Sequence, residues 1–166
     1  MKHILITGMS GVGKSSALET LRNRGYHCIE MDDPGWSFMD EDGHQHWIID
    51  RLSAALDTSN NGPVFVAGCA EEQSQLHDKF CAVILLSAPL EVMKERISNR
   101  DNNSYGKRAD EMELIESNLC NIEPVLRRSC THEIITTCPL NIVVDRIETI
   151  AAEQGASPDA FGAGEL

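Results

Sequence analysis

Gly8-Met9-Ser10-Gly11-Val12-Gly13-Lys14-Ser15 reads G-x-x-x-x-G-K-S, the spacing of a phosphate-cradling loop. Glycines let successive backbone N–H groups turn toward one anion, in conformations that a Cβ obstructs. A helix opening directly after the loop adds free N–H groups and a dipole that favour negative charge. Lys14 has the reach for the β- and γ-phosphates of a nucleotide, and the Ser15 hydroxyl can ligand Mg²⁺. The flanks have the required order. Lys2–Thr7 is an apolar run suited to a buried parallel strand. Ser16–Arg24 places Leu18 and Leu21 on one helix face, and Gly25 ends that helix.

The 166 residues suffice for one domain with its own core, and 42% apolar content marks a globular chain. A net charge of −12 argues against a broad nucleic-acid or anionic-membrane footprint. No apolar stretch is long enough to span a bilayer. The charged start leads at once into a strand, so no signal peptide is expected. The six cysteines show no C-x-x-C spacing, which predicts reduced thiols in a cytoplasmic protein rather than zinc ligands or disulfides.

Along the rest of the chain, strands and helices alternate. Strands are expected at Gly25–Glu30, Val64–Ala67, Cys81–Ser87 and His132–Thr137. A helix from about His44 to Asp57 aligns Ile48, Ile49, Leu52, Ala55 and Leu56, with Trp36 and Phe38 in the loop before it. Thr58–Pro63 reads as a loop, and Glu71 to about Lys79 as a short helix. Pro89 opens a helix, and a polar stretch follows at 100–108. A long helix begins near Ala109 with Pro124 inside its pattern, and Pro139 opens the last helix. The expected organisation is a single domain over 1–152 and a flexible tail over 153–166. This alternation predicts an α/β, three-layer αβα sandwich around a parallel sheet, with ligand beyond the carboxyl ends of the strands.

With those residues in place, the chain resembles the small P-loop kinases: shikimate kinase, gluconate kinase and the adenylate-kinase type of nucleoside monophosphate kinase. The resemblance rests on the phosphate loop, on the acidic turn Asp32-Asp33, and on Arg96 and Arg100 leading into Arg108. It implies five parallel strands in the order 2-3-1-4-5, the P-loop nucleoside triphosphate hydrolase fold. It also implies ATP–Mg²⁺ as phosphoryl donor and a small acceptor near Gly68-Cys69. Arg96 would then lie along the adenine, Arg100 would face the phosphates, and Lys107 or Arg108 would close over them from a lid at about 100–108. The third strand ends Ala67-Gly68-Cys69, without the aspartate that many P-loop proteins place there for Mg²⁺, so Asp32 or Asp33 would serve instead.

The expected site follows. Lys14, Arg100 and Arg108 stabilise charge, and Asp32 or Asp33 acts on the acceptor side. Gly8, Ser10, Gly11, Val12, Gly13, Lys14, Ser15, Ser16, Arg96 and Arg100 hold the nucleotide, with Ser15 and Asp32 at the metal. Trp36, Phe38, Trp47, Arg51 and Cys69 lie where an acceptor pocket would form. His44 and His46, two apart on a helix, point in different directions and make no metal pair. The reading is a small-molecule kinase acting as a monomer or small homo-oligomer. The alternatives are a nucleoside monophosphate kinase and an ATP-binding switch with negligible turnover.

Overall fold

The computed structural model describes residues 3–59 and 62–156. Strand β1 (His3–Thr7) feeds the phosphate loop and helix α1 (Lys14–Asn23). Strands β2 (His27–Glu30), β3 (Ser37–Met39) and β4 (Gln45–Trp47) precede helix α2 (Ile49–Asp57) and strand β5 (Val64–Ala67). A 3-10 segment (Glu71–Lys79), β6 (Phe80–Ser87) and α3 (Leu90–Asn99) follow. The chain closes with α4 (Ala109–Asn121), α5 (Glu123–Ser129), β7 (His132–Ile135) and α6 (Leu140–Glu153).

The main sheet has five strands, all neighbours parallel, in the order β2–β5–β1–β6–β7. The numbers differ from the expected 2-3-1-4-5 because the hairpin β3–β4 inserts two short strands before β5. Period-two alternation divides the core between the sheet's faces. Ile4 and Ile6 pack with Val12, Leu18, Leu21, Val144 and Ile147. Leu5 packs on the other side with Trp47, Leu52, Leu56, Val66 and Leu76.

Strands β2 and β7 are each two residues shorter than expected, and three larger differences bear on the site and the chain's end. The expected helix from His44 begins only at Ile49, because a hairpin precedes it. Its turn is built by the Asp40 carboxylate, which accepts the N–H groups of Asp42 (3.0 Å) and His44 (2.8 Å). Gly43 supplies the positive φ of 81° that the reversal needs. Trp47 is buried, and the Ile48 N–H donates to the Trp36 carbonyl at 2.9 Å, closing the hairpin base. Second, Pro124 divides the expected long helix, and α5 starts anew with proline in its first turn. Third, α6 runs through Glu153, and Ala156 is buried with its N–H on the Ala151 carbonyl (2.8 Å). Helix α6 thus ends at the residue where the tail was expected to start. Lys2, Asn60, Asn61 and the tail residues 157–166 lie outside the described residues.

Candidate functional site

The loop between β1 and α1 is shaped by glycine. Gly8 has φ 146°, and a Cβ there would sit 2.3 Å from the Leu86 carbonyl oxygen. Gly11 has φ 84°, with Ile97 and the Met93 carbonyl 3.0 Å from where its Cβ would be. The loop is therefore pressed against β6 and α3, which leaves no room for a side chain at Gly8 or Gly11. Helix α1 opens after Gly13 with no side-chain cap, so its first N–H groups face the site unpaired by side chains. The Lys14 ammonium donates to the carbonyls of Gly8 (2.7 Å) and Met9 (3.0 Å), lying back over the loop. Burial pushes its pKa down, Arg100 adds to that, and Asp32 and Glu30 oppose it.

Ser10, Gly11, Val12, Gly13, Lys14, Ser15 and Ser16 line one wall of a cavity of about 1080 Å³. Glu30, Asp32 and Asp33 line another, and Arg96, Arg100 and the segment 102–104 a third. Thr136 and Cys138, from the loop after β7, complete it. The phosphate loop after β1 and the acidic turn after β2 thus share one crevice with the segment after β7, at the strand ends where a ligand was expected.

Within it the side chains divide. The Ser15 hydroxyl donates to Glu30 Oε1, which places a carboxylate beside the expected metal hydroxyl. The sequence reading passed over Glu30 in favour of the turn-forming Asp32-Asp33. Its position as the last residue of β2, two before Asp32, was the available signal. Asp32 Oδ1 accepts from Gln45 Nε2 (2.9 Å), so the hairpin touches this carboxylate directly. Asp33 reaches the cavity without a side-chain partner among the described residues.

Arg96 braces the site. Its Nη1 donates to the Val12 carbonyl (3.1 Å) and to Thr136 Oγ1 (2.9 Å), and its Nη2 to the Thr136 carbonyl. Thr136 Oγ1 also donates to the Val12 carbonyl at 2.7 Å. These bonds tie the phosphate loop to the loop after β7 and commit much of the guanidinium that was expected along a base. Arg100 ties 100–108 to itself and to the loop: Nη2 donates to the Tyr105 carbonyl (2.6 Å) and lies 3.4 Å from Ser10 Oγ. Burial lowers its pKa below the usual arginine value. Arg108 does not join them. It is 73% exposed, paired to Asp110 at 2.9 Å, and lines a separate depression with Lys94, Ser98 and Lys107. Arg108, expected over the phosphates from a lid, thus stands outside the cavity in this structure. Glu111 receives the Arg108 and Gly106 N–H groups at the start of α4, and this turns the arginine outward.

The acceptor-side residues also separate. Trp47 is core, its ring against Gly68, where a Cβ would meet it at 2.8 Å. Cys69 is half-buried and packs against the core. The Arg51 guanidinium lies 4.4 Å over the Trp36 ring and donates to the Gly35 carbonyl. Phe38 is exposed and stacked on His46. His44 and His46 stand in the hairpin rather than on a helix, and both approach Asp40 Oδ2, at 3.5 and 2.9 Å.

Comparison with protein families matches residues 4–118 to the AAA domain. A protein of Paraburkholderia phytofirmans called a nucleotide-binding protein is 34% identical over 104 residues, 59% of this chain and 33% of that protein. A Burkholderia cenocepacia nucleotide-binding protein is 32% identical over the same share of this chain and 32% of its own length. The chain spans about a third of the length of the curated relatives it matches. Among solved structures, shikimate kinase from Acinetobacter baumannii superposes with TM-score 0.62 at 16% identity, covering 92% of this chain and 94% of the other. A gluconokinase from Sinorhizobium meliloti gives 0.56 at 21% identity, covering 98% of both. The chain therefore has the fold of the small P-loop kinases. No helix among the described residues is long and apolar enough to cross a membrane.

Proposed function

The chain belongs to the AAA domain family, and from that premise we propose that it binds Mg²⁺–ATP and transfers the γ-phosphoryl group to a small acceptor. The observation that carries this reading is the uncapped start of α1, the Lys14 ammonium and the Ser15–Glu30 contact, all facing one cavity. Phosphoryl transfer asks for positioning and cationic stabilisation more than for covalent chemistry. Backbone N–H groups from Gly8 to Ser16 hold the phosphates. Lys14, drawn off its two carbonyls, neutralises charge on the moving group. Its lowered pKa is raised again by an anionic ligand. Arg100 sits across the cavity as a second cation.

The oxygen donors of Ser15, Glu30 and Asp32 suit Mg²⁺, a hard cation that takes few protein carboxylates. Mg²⁺ held there would neutralise negative charge on the phosphates. Glu30 thereby takes the place of the carboxylate missing after β5. Asp32, held by Gln45, is the group to orient or deprotonate an acceptor hydroxyl, and Asp33 is next to it. None of the six cysteines, all among the described residues, is in a disulfide, which supports a reducing compartment such as the cytoplasm.

A second reading, a nucleotide-binding module with negligible turnover, is favoured by one observation: the relatives are named only for nucleotide binding. The nucleoside monophosphate kinase alternative has less support. Arg51, the arginine on the acceptor side, is engaged by Trp36 and the Gly35 carbonyl. The test is a thermal melt with Mg²⁺–ATP followed by ADP release over a panel of sugar acids, shikimate, nucleosides and nucleotides. A raised melting temperature with acceptor-dependent ADP supports the kinase. A raised temperature without it supports the module, and no shift sinks both.

A further inference from the structure

The hairpin β3–β4 holds an arrangement that phosphate binding does not require. The His46 ring lies between two carboxylates, with Nδ1 2.5 Å from Glu72 Oε1 and Nε2 2.9 Å from Asp40 Oδ2. Ionised carboxylates only accept, and a neutral imidazole carries one N–H. Both contacts are satisfied together by the imidazolium. Asp40 belongs to the hairpin turn, and Glu72 to the 3-10 segment after β5. His46 therefore ties the hairpin to the strand ends. One residue back, Gln45 Nε2 donates to Asp32 Oδ1 (2.9 Å) and to Ser37 Oγ (2.8 Å). Ser37 Oγ in turn donates to the Met31 carbonyl at 2.8 Å.

We propose that His46 is a positioning residue, a protonation-dependent clasp that pins the hairpin to the segment after β5 and, through Gln45, sets the direction of the Asp32 carboxylate. The catalytic meaning of Asp32 rests on the function proposed above; the clasp does not.

The groups facing His46 are Glu72 from the 3-10 segment, Asp40 from the turn, and the Phe38 ring from β3, 5.5 Å away between centroids. His44 shares Asp40 at 3.5 Å. Hydrogen bonds to Glu72 and then Asp40 raise the pKa of His46 above 6.5. Asp40 is pulled down to about 2 by the same contact, together with the His44 N–H. Burial opposes a fall at Glu72, yet its hydrogen bond to His46 still lowers it. The sign follows. A raised histidine pKa gives stabilisation that is complete below 6.5 and lost as pH rises through the folded-state value. At the acid end the clasp is lost as Glu72 and Asp40 protonate, both below their ordinary values.

Both tryptophans of the chain lie at the hairpin, Trp36 just before β3 and Trp47 at the end of β4, so intrinsic emission reads its closure. The experiment titrates the full chain from about pH 5 to 9 by tryptophan emission and by NMR of the His46 ring and the Asp32 carboxyl carbon. The His46 ring should titrate above 6.5, with the emission and the Asp32 signal moving over the same interval. His46→Gln should remove the emission step, and Glu72→Gln should shift ring and emission together to lower pH. A ring that titrates at or below 6.5, or an emission step unchanged in His46→Gln, overturns the clasp. An Asp32 signal indifferent to His46 overturns the coupling. None of these measurements uses nucleotide, so failure of ATP to bind would sink the preceding proposal and leave this one standing.

Discussion

Around Lys14 the contacts are to the main chain: the ammonium on two carbonyls, Arg96 on the Val12 carbonyl, glycines against the backbone of β6 and α3. Around Asp32 they run between side chains: Gln45 on Asp32, His46 between Asp40 and Glu72, Arg51 over Trp36. On the proposed function, the first side would hold a group common to all nucleoside triphosphates, which a backbone cradle binds without side-chain specificity. On the same proposal the second would carry selectivity for an acceptor, and it includes a hairpin tied down by polar contacts. The two sides also rest on different core clusters, one on each face of the sheet.

That separation can be broken by substitution. Trp47→Ala, which empties a buried position in the hairpin-side cluster, should cost about 3–5 kcal/mol in chemical denaturation. The folded fraction should still be stabilised by Mg²⁺–ATP. Loss of ATP stabilisation in that fraction would show the two sides to be one unit. Lys14→Ala should do the reverse: the melting temperature of the free protein stays near wild type, while turnover falls by about 10²–10³-fold in a coupled ADP assay. A drop in turnover below tenfold would remove Lys14 from the chemistry.

A finer division lies among the arginines. Arg100→Ala should weaken Mg²⁺–ATP by about tenfold in calorimetry, since a charged donor facing the loop is lost. Arg108→Ala, removing an exposed pair, should stay within about twofold. Equal effects would return Arg108 to the site.

The smallest effect sharpens the contrast by pH. His3 is buried, and its Nδ1 accepts the Val64 N–H at 3.1 Å, which requires that nitrogen to be unprotonated. Burial lowers its pKa below 6.5. Its contribution is therefore present above 6.5 and lost as pH falls toward the folded value, opposite in sign to His46. Melts at pH 7.5 and 5.5 should show the loss in wild type and a smaller one in His3→Gln. Equal losses would exclude His3 as the cause.

How far these features were legible depends on the distance over which they act. Strand, loop and helix around Lys14 follow one another in the chain, so spacing alone revealed them. The hairpin escaped because the apolar spacing of Ile48, Leu52 and Leu56 extends backward as if one helix ran through His44. The turn at Asp40, made by a side chain on its own backbone, interrupts it. Arg108 was placed over the phosphates by its neighbourhood to Arg100. Capping at the start of α4, a matter of local hydrogen bonds, turned it away. The bond from Arg96 to Thr136, 40 residues on, was not legible because nothing in the local spacing joins the two.

By itself the sequence determined the phosphate loop, the alternation of strands and helices, and the edge of the sheet at which a ligand belongs. Each depends on residue types at short, regular spacing, where backbone conformation and periodic burial leave few alternatives. Only the tertiary structure decided that Glu30 meets Ser15, that Gln45 reaches Asp32 and that His46 joins Asp40 to Glu72. Those pairs are made by strand ends and a hairpin brought together from separate parts of the chain, and side-chain direction across such gaps is set by packing rather than by order in sequence.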